Sequence, residues 1–191
     1  PSVVHVEGSV DPYRDIGSMD MEMAFADLAI LERRQQRLED DLKRAKTQDR
    51  DAIRREQALI DKIKSELEKA VPIRSQRLEK TELAALEGFQ FLTAKPLLEV
   101  LNVDEAQLGD VEAQERELAS HVSGEGVASA ALAGKLEADL ARMSEDEEAE
   151  FRESLSAGES GLRRILRLSF DLLGVISFLT VGEDEVRAWT I

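Results

Sequence analysis

Apolar residues recur along this chain with two different periods, and the change of period divides it in two. Leu31, Gln35, Leu38, Leu42 and Ala45 follow one another at steps of four, three, four and three. That repeat lines five side chains along one seam of a helix packed on a second helix, with Gln35 as the polar position. Helical character starts near Met19 and Asp20, and the polar stretch Thr47 to Asp51 breaks the seam. A second helix then carries Ile60, Ile63, Leu67 and Ala70 at steps of three, four and three. Pro72 closes it, because proline supplies no N–H and clashes with the preceding turn. Two such helices joined by a short polar link predict an antiparallel hairpin. Thr81 to Leu86 predicts one more short helix.

After Pro96 the helical period disappears. Leu97, Leu98, Val100 and Leu101 form a compact apolar run ending at Asn102, the pattern of a buried strand in a parallel sheet. A helix from about Glu112 to Val122 comes next, then a weaker strand at Val127–Leu132 and the loop Ala133-Gly134-Lys135. Strand, helix and strand in that order predict α/β architecture. Ser144 and Glu147 predict a capping box on a helix that runs to about Leu155 and stops at Gly158. Leu162, Ile165, Leu166, Leu172 and Leu173 predict the buried face of the next helix, which Gly174 ends. Val175–Val181 and Val186–Ile191, around Gly182-Glu183-Asp184, predict a β-hairpin. Ser2–Val6 predicts a short buried strand that includes His5, before a loop at Gly8, Asp11 and Pro12.

Charge sharpens the division. The chain of 191 residues has a net charge of −15, unevenly placed. Residues 32–69 hold 12 basic and 10 acidic side chains, whereas residues 99–159 hold 4 and 17. The first stretch suits a solvated arm that meets a partner; the second repels nucleic-acid backbones, so no direct DNA binding is expected. Aromatic residues make up only 4%, so burial falls to Leu, Ile, Val and Ala. The absence of Cys excludes disulfides and thiolate metal sites and suits a reducing cytoplasm. With two His, a His-rich metal centre is not expected either. The longest apolar run, Leu172–Val181, is about half a membrane span and predicts buried core, with no membrane association. The chain opens at Pro1 without signal peptide or initiator Met, so its coding sequence is expected to begin upstream.

Candidate chemistry gathers at two loops. Asn102-Val103-Asp104-Glu105 follows a strand, at the end where open α/β sheets bind ligands. An Asn amide offers one donor and one acceptor, and the N7/N6 edge of adenine offers the matching pair. Ala133-Gly134-Lys135 follows the next strand and can lie beside the first loop, its small residues admitting a flat base. The plainer alternatives stay open: Asn102 caps a turn, and the second loop is an ordinary strand-to-helix connection. His5 and His121 stand without a nucleophile partner, so no catalytic residue is assigned. Glu145-Asp146-Glu147-Glu148 is an acidic first helical turn rather than a metal site. Neither Gly-x-x-x-x-Gly-Lys-Ser/Thr nor Gly-x-Gly-x-x-Gly occurs, so the chain has no usual cradle for a triphosphate.

Several segments, in order and spacing, resemble the YchF / Obg-like ATPase family. They are His5 to Pro12, Asp20 to Leu31, Leu92-Thr93-Ala94-Lys95-Pro96, Asn102 to Glu105, Lys135 to Leu140, Glu159-Ser160-Gly161-Leu162 and Glu185 to Ile191. The resemblance implies an internal piece of a three-part protein with a partial Ras-like G domain of α/β type. Residues 1–19 and 92–174 would be the central part and C-terminal half of that domain. Residues 20–91 would be an inserted antiparallel α-helical coiled-coil hairpin, and residues 175–191 a β-hairpin beginning a TGS domain. It implies a P-loop ATPase that prefers ATP to GTP, with Mg2+ and the phosphate loop held outside this chain. The implied partner is the ribosome, through its large subunit, and the implied role is regulation of translation or of the stress response. Asn102 and Val103 would read the base, with Ala133, Gly134 and Lys135 closing its other side. Glu105 would stand where guanine-binding relatives use Asp. The rival expectation is a coiled-coil adaptor without catalysis.

Overall fold

The computed structural model describes residues 7–122, 124–155, 157–182 and 184–191. The strand expected at Ser2–Val6, His5 included, and Glu183 of the expected terminal turn lie outside them. The chain forms two compact units, Pro1–Lys95 and Pro96–Ile191.

The first unit is built on two helices, α1 (Pro12–Arg44) and α2 (Arg50–Leu67). α1 starts well before the expected Met19–Asp20, and the reason lies in the pair expected to form a loop. Asp11 is the N-cap, with extended backbone and a side chain that accepts from Arg14 N, and Pro12 takes a first-turn position where its missing N–H costs nothing. Leu31 and Leu38 of α1 and Ile60, Ile63 and Leu67 of α2 are each at most 2% exposed and form one core. Gln35 and Leu42 are half-buried on the same seam. Arg34 grips Glu56 with two hydrogen bonds of 2.7 and 2.8 Å, and Lys64 reaches Glu32 at 3.5 Å, so the helices run antiparallel.

The seam expected to continue to Ala70 stops at Leu67. Ala70 is exposed with a φ of 62°, and Val71 N donates to Glu66 O at 3.0 Å. Ala70 therefore turns the chain out of the helix through a left-handed residue, before Pro72 is reached. α3 (Lys80–Leu86) opens with a capping box between Glu79 and Glu82. Leu86, Ile73 and Phe91 join the core, and Phe91 stacks on Phe89 at 5.2 Å between ring centres. Asp27, wholly buried on α1, accepts from the N–H groups of Leu92 at 2.9 Å and Thr93 at 2.7 Å.

The second unit holds a parallel pair, β1 (Leu97–Asn102) and β2 (Val127–Leu132), in register from Leu97↔Val127 to Asn102↔Leu132. α4 (Val111–His121) connects them. The parallel pairing agrees with the sequence pattern, but the expected burial of β1 does not hold. None of its residues is fully buried and Val100 is 44% exposed, because the described sheet has only two strands. α5 (Gly134–Leu140) and α6 (Glu145–Leu155) follow, α6 behind the expected capping box, with Ser144 N donating to Glu147 Oε2 at 3.0 Å. α7 (Gly161–Leu173) ends at Gly174, whose φ is 64°. Its expected buried face is largely open: Leu162, Leu166 and Leu173 are more than half exposed. The core consists instead of Val103, Ala131, Ala133, Leu136 and Leu140. β3 (Ser177–Val181) and β4 (Val186–Thr190) pair antiparallel, and all their residues are exposed, so Leu172–Val181 is not buried core. Among the described residues no helix is long and apolar enough to cross a membrane.

Candidate base-recognition site

β1 and β2 run parallel and end level with each other, so the two loops expected to carry chemistry leave the sheet side by side. Val103 N extends the ladder by donating to Leu132 O at 2.9 Å. Asn102 Oδ1 accepts from Gly134 N, also at 2.9 Å, which fastens the first loop to the second. A Cβ at position 134 would lie 3.0 Å from that oxygen, a tight contact that glycine avoids. Val103 and Ala133 are buried beneath the loops, while Asn102 is exposed above them.

The structure thus gathers Asn102, Val103, Ala133 and Gly134. The other two candidates are less engaged. Glu105 is exposed and heads the 3-10 turn Glu105–Asp110, which Asp104 caps by accepting from Ala106 N at 3.1 Å. Lys135 is exposed on α5 and makes no ion pair among the described residues. The sequence pattern gave both amide groups of Asn102 to a base. Oδ1 already accepts from Gly134 N, which leaves the Nδ2 donor and the second lone pair of Oδ1. The bond to Gly134 is the fastening role that the plainer expectation gave to Asn102.

Sequence reasoning missed the carboxylates that fix this edge. Glu137, on the first turn of α5, accepts from Arg152 Nη2 at 2.7 Å and Nη1 at 3.1 Å, and from Gly161 N at 3.0 Å. Burial alone would raise its pKa, but the Arg152 guanidinium and the Gly161 N–H outweigh burial and hold the carboxyl below the usual glutamate range. Arg152, which also pairs with Glu148 at 2.7 Å, is raised in turn, first by Glu137. On β2, Ala131 N donates to Glu115 Oε2 at 3.1 Å. Arg164 pairs with that same oxygen at 2.9 Å and donates to Ala131 O. The available signal was position: Glu137 falls within the Lys135–Leu140 segment that carries the family resemblance.

His121 ends α4 with Nδ1 2.9 Å from Glu117 O. Among the described residues no three His, Asp or Glu side chains gather as metal ligands. The arrangement can offer a fixed amide donor over a small apolar floor, which suits the edge of a flat ligand.

A parallel α/β domain with its ligand edge at the strand ends, in a chain that also carries a helical hairpin, is the class that fold and site define. No protein-family model matches the chain. The ribosome-binding ATPase YchF of Haemophilus ducreyi is 39% identical over 99% of this chain and 51% of its own length. The Bacillus subtilis protein of the same name is 34% identical over the same shares. Among solved structures, the YchF GTPase of Schizosaccharomyces pombe superposes with a TM-score of 0.83 at 29% identity, covering 99% of this chain and 51% of that one. Over nearly its whole length the chain is similar to proteins named YchF, and it spans about half the length of the curated relatives it matches.

Proposed function

We propose that this chain is the base-reading portion and partner-contacting arm of a ribosome-associated P-loop ATPase that prefers ATP to GTP and regulates translation or the stress response. In this reading residues 1–19 and 92–174 belong to a Ras-like G domain and residues 20–91 are its coiled-coil insertion. Residues 175–191 begin a TGS domain. The observation that carries the proposal is the bond from Gly134 N to Asn102 Oδ1, which sets two loops at the ligand edge of a parallel pair.

With Oδ1 engaged, Asn102 Nδ2 donates to adenine N7, an acceptor. Val103 N is committed to Leu132, so Val103 contributes its carbonyl to the adenine amino group. Ala133 and Gly134 flank the other side of the base, with Lys135 beyond them. Glu105 accounts for the preference. A guanine-binding Asp accepts from guanine N1–H and its amino group, and Glu is one methylene longer, which displaces the carboxylate. Polar-edge discrimination of this kind reaches several kcal/mol. ATP or GTP and Mg2+ are held chiefly by a phosphate loop outside these residues, so the chain alone is inactive. The ribosome-binding character of the similar Haemophilus ducreyi protein supports the ribosome as partner, and family resemblance supports its large subunit and a cytoplasmic location.

Calorimetry on the full-length protein tests the reading. ATP is expected to bind at least roughly tenfold more tightly than GTP, with Asn102→Ala weakening ATP by about tenfold. Equal affinity for the two nucleotides overturns it.

A further inference from the structure

The first turn of α7 reaches the second loop from both of its ends. On the β2 side, side chains engage both main-chain polar groups of Ala131. Its N–H donates to Glu115 Oε2 at 3.1 Å, and its carbonyl accepts from Arg164, which also pairs with Glu115 at 2.9 Å. On the α5 side, Glu137 accepts from Gly161 N at 3.0 Å and from Arg152 at 2.7 Å, while its own N–H donates to Ala133 O at 3.0 Å. Gly134, whose N–H donates to Asn102 Oδ1, stands midway between Ala131 and Glu137. We propose that Glu137 and Arg164 are positioning residues for the nucleotide base, acting through Ala131, Ala133 and Gly161 to fix the loop at 133–135 and with it the Asn102 amide. This inference rests on the base-reading function proposed above.

α7 is fitted closely against this edge. A Cβ at position 161 would lie 3.0 Å from Glu137 Oε1 and 3.2 Å from Leu132 Cβ, two tight contacts that glycine avoids. Stability is a weak account of the polar groups gathered here. The side chains of Glu137 and Arg152 are 17% and 11% exposed, and an ion pair so far from water is often replaceable by apolar residues without loss. Arg164 Nε is buried and, among the described residues, has no hydrogen-bond partner, which costs stability rather than adding it. What the groups supply is direction. The Arg152 guanidinium grips Glu137 through both oxygens, which fixes their relative orientation. Glu137 passes that orientation to the helical turn that begins at Ala133. A donor that reads a base edge must be held to within about 0.5 Å, and a loop on its own does not hold it so.

Calorimetry with ATP and GTP, together with steady-state ATP hydrolysis, on variants of the full-length protein tests the proposal. Arg164→Gln, and Glu137→Met combined with Arg152→Met, are each expected to raise the Kd for ATP about tenfold. GTP, which lacks the amino-group contact, is expected to weaken less than about threefold, so the preference for ATP shrinks. The phosphates and Mg2+ are held elsewhere, so kcat is expected to stay within about twofold while KM for ATP rises. The paired Met variant removes the charges without stranding either partner and is expected to keep the wild-type thermal midpoint. Arg164→Lys keeps a charged donor, and its Kd for ATP is expected to stay within about threefold of the wild type, which covers the case in which the Met variant does not fold. Leu38→Ala, in the other unit, is expected to lower stability without moving either Kd. The proposal is overturned if Arg164→Gln or the folded Met variant binds ATP as the wild type does, if ATP and GTP weaken by one common factor, or if kcat falls in step with affinity. Asn102→Ala separates the two readings. If it weakens ATP while the Gln and Met variants do not, the positioning role alone fails; if it too binds ATP as the wild type does, the base-reading function fails as well.

Discussion

Replacing Asp27 by Ala takes the acceptor away from two backbone N–H groups, one of them on buried Thr93. An orphaned buried donor costs the full desolvation of its N–H, and here two donors lose their partner. Asp27→Ala is expected to lower stability by about 3 kcal/mol, read from the urea midpoint. Glu137 gives a pH-dependent counterpart. Its pKa is lower folded than unfolded, so its stabilisation is complete above the ordinary glutamate pKa of about 4.3 and is lost as pH falls through the folded value. Unfolding titrations between about pH 6 and 3 are expected to show a shallower loss of stability in Glu137→Gln than in the wild type; identical slopes would remove Glu137 as the cause. Neither carboxylate stands out in sequence. Asp27 sits among the mixed residues of a long helix and Glu137 in an acidic stretch, and their partners lie 65 and 15 residues away.

At the scale of elements, the hairpin rests on its seam. Leu38 is 1% exposed between α1 and α2. Leu38→Ala leaves a cavity that two packed helices fill poorly, and a loss of about 3 kcal/mol is expected in thermal or urea unfolding followed by far-UV circular dichroism. A loss below about 1 kcal/mol would mean that the seam collapses around the gap. The same seam was legible as a 3.5-residue repeat because its partners follow one another in sequence. Its two ends were less so. Asp11-Pro12 has the composition of a loop and of a helix start alike, and the Asp11 bond to Arg14 N decides between them. Ala70 fits the repeat by spacing, yet the chain must reverse there, and the left-handed backbone removes it from the seam.

Across the whole molecule, two units each carry a separate core, and Leu38 belongs to the first. Trp189, the single tryptophan, belongs to β4 in the second. The Leu38→Ala transition seen by helix signal is therefore expected to move while Trp189 fluorescence keeps its wild-type midpoint. The sequence by itself determined the hairpin, the parallel β1–β2 pair, the capped α6, the Gly174 stop and the strands of the terminal hairpin, because each depends on neighbours a few residues apart or on a clear change of period. Tertiary structure decided what is buried and what each polar atom does. α7 reads as amphipathic whether or not anything covers its apolar face, and in the described chain Leu162, Leu166 and Leu173 stay open. Asn102 reads as a donor–acceptor pair, and Gly134, 32 residues on, occupies one lone pair of the acceptor. Periodicity records which side of an element is apolar; only the packing of distant segments fixes which groups remain available to a ligand.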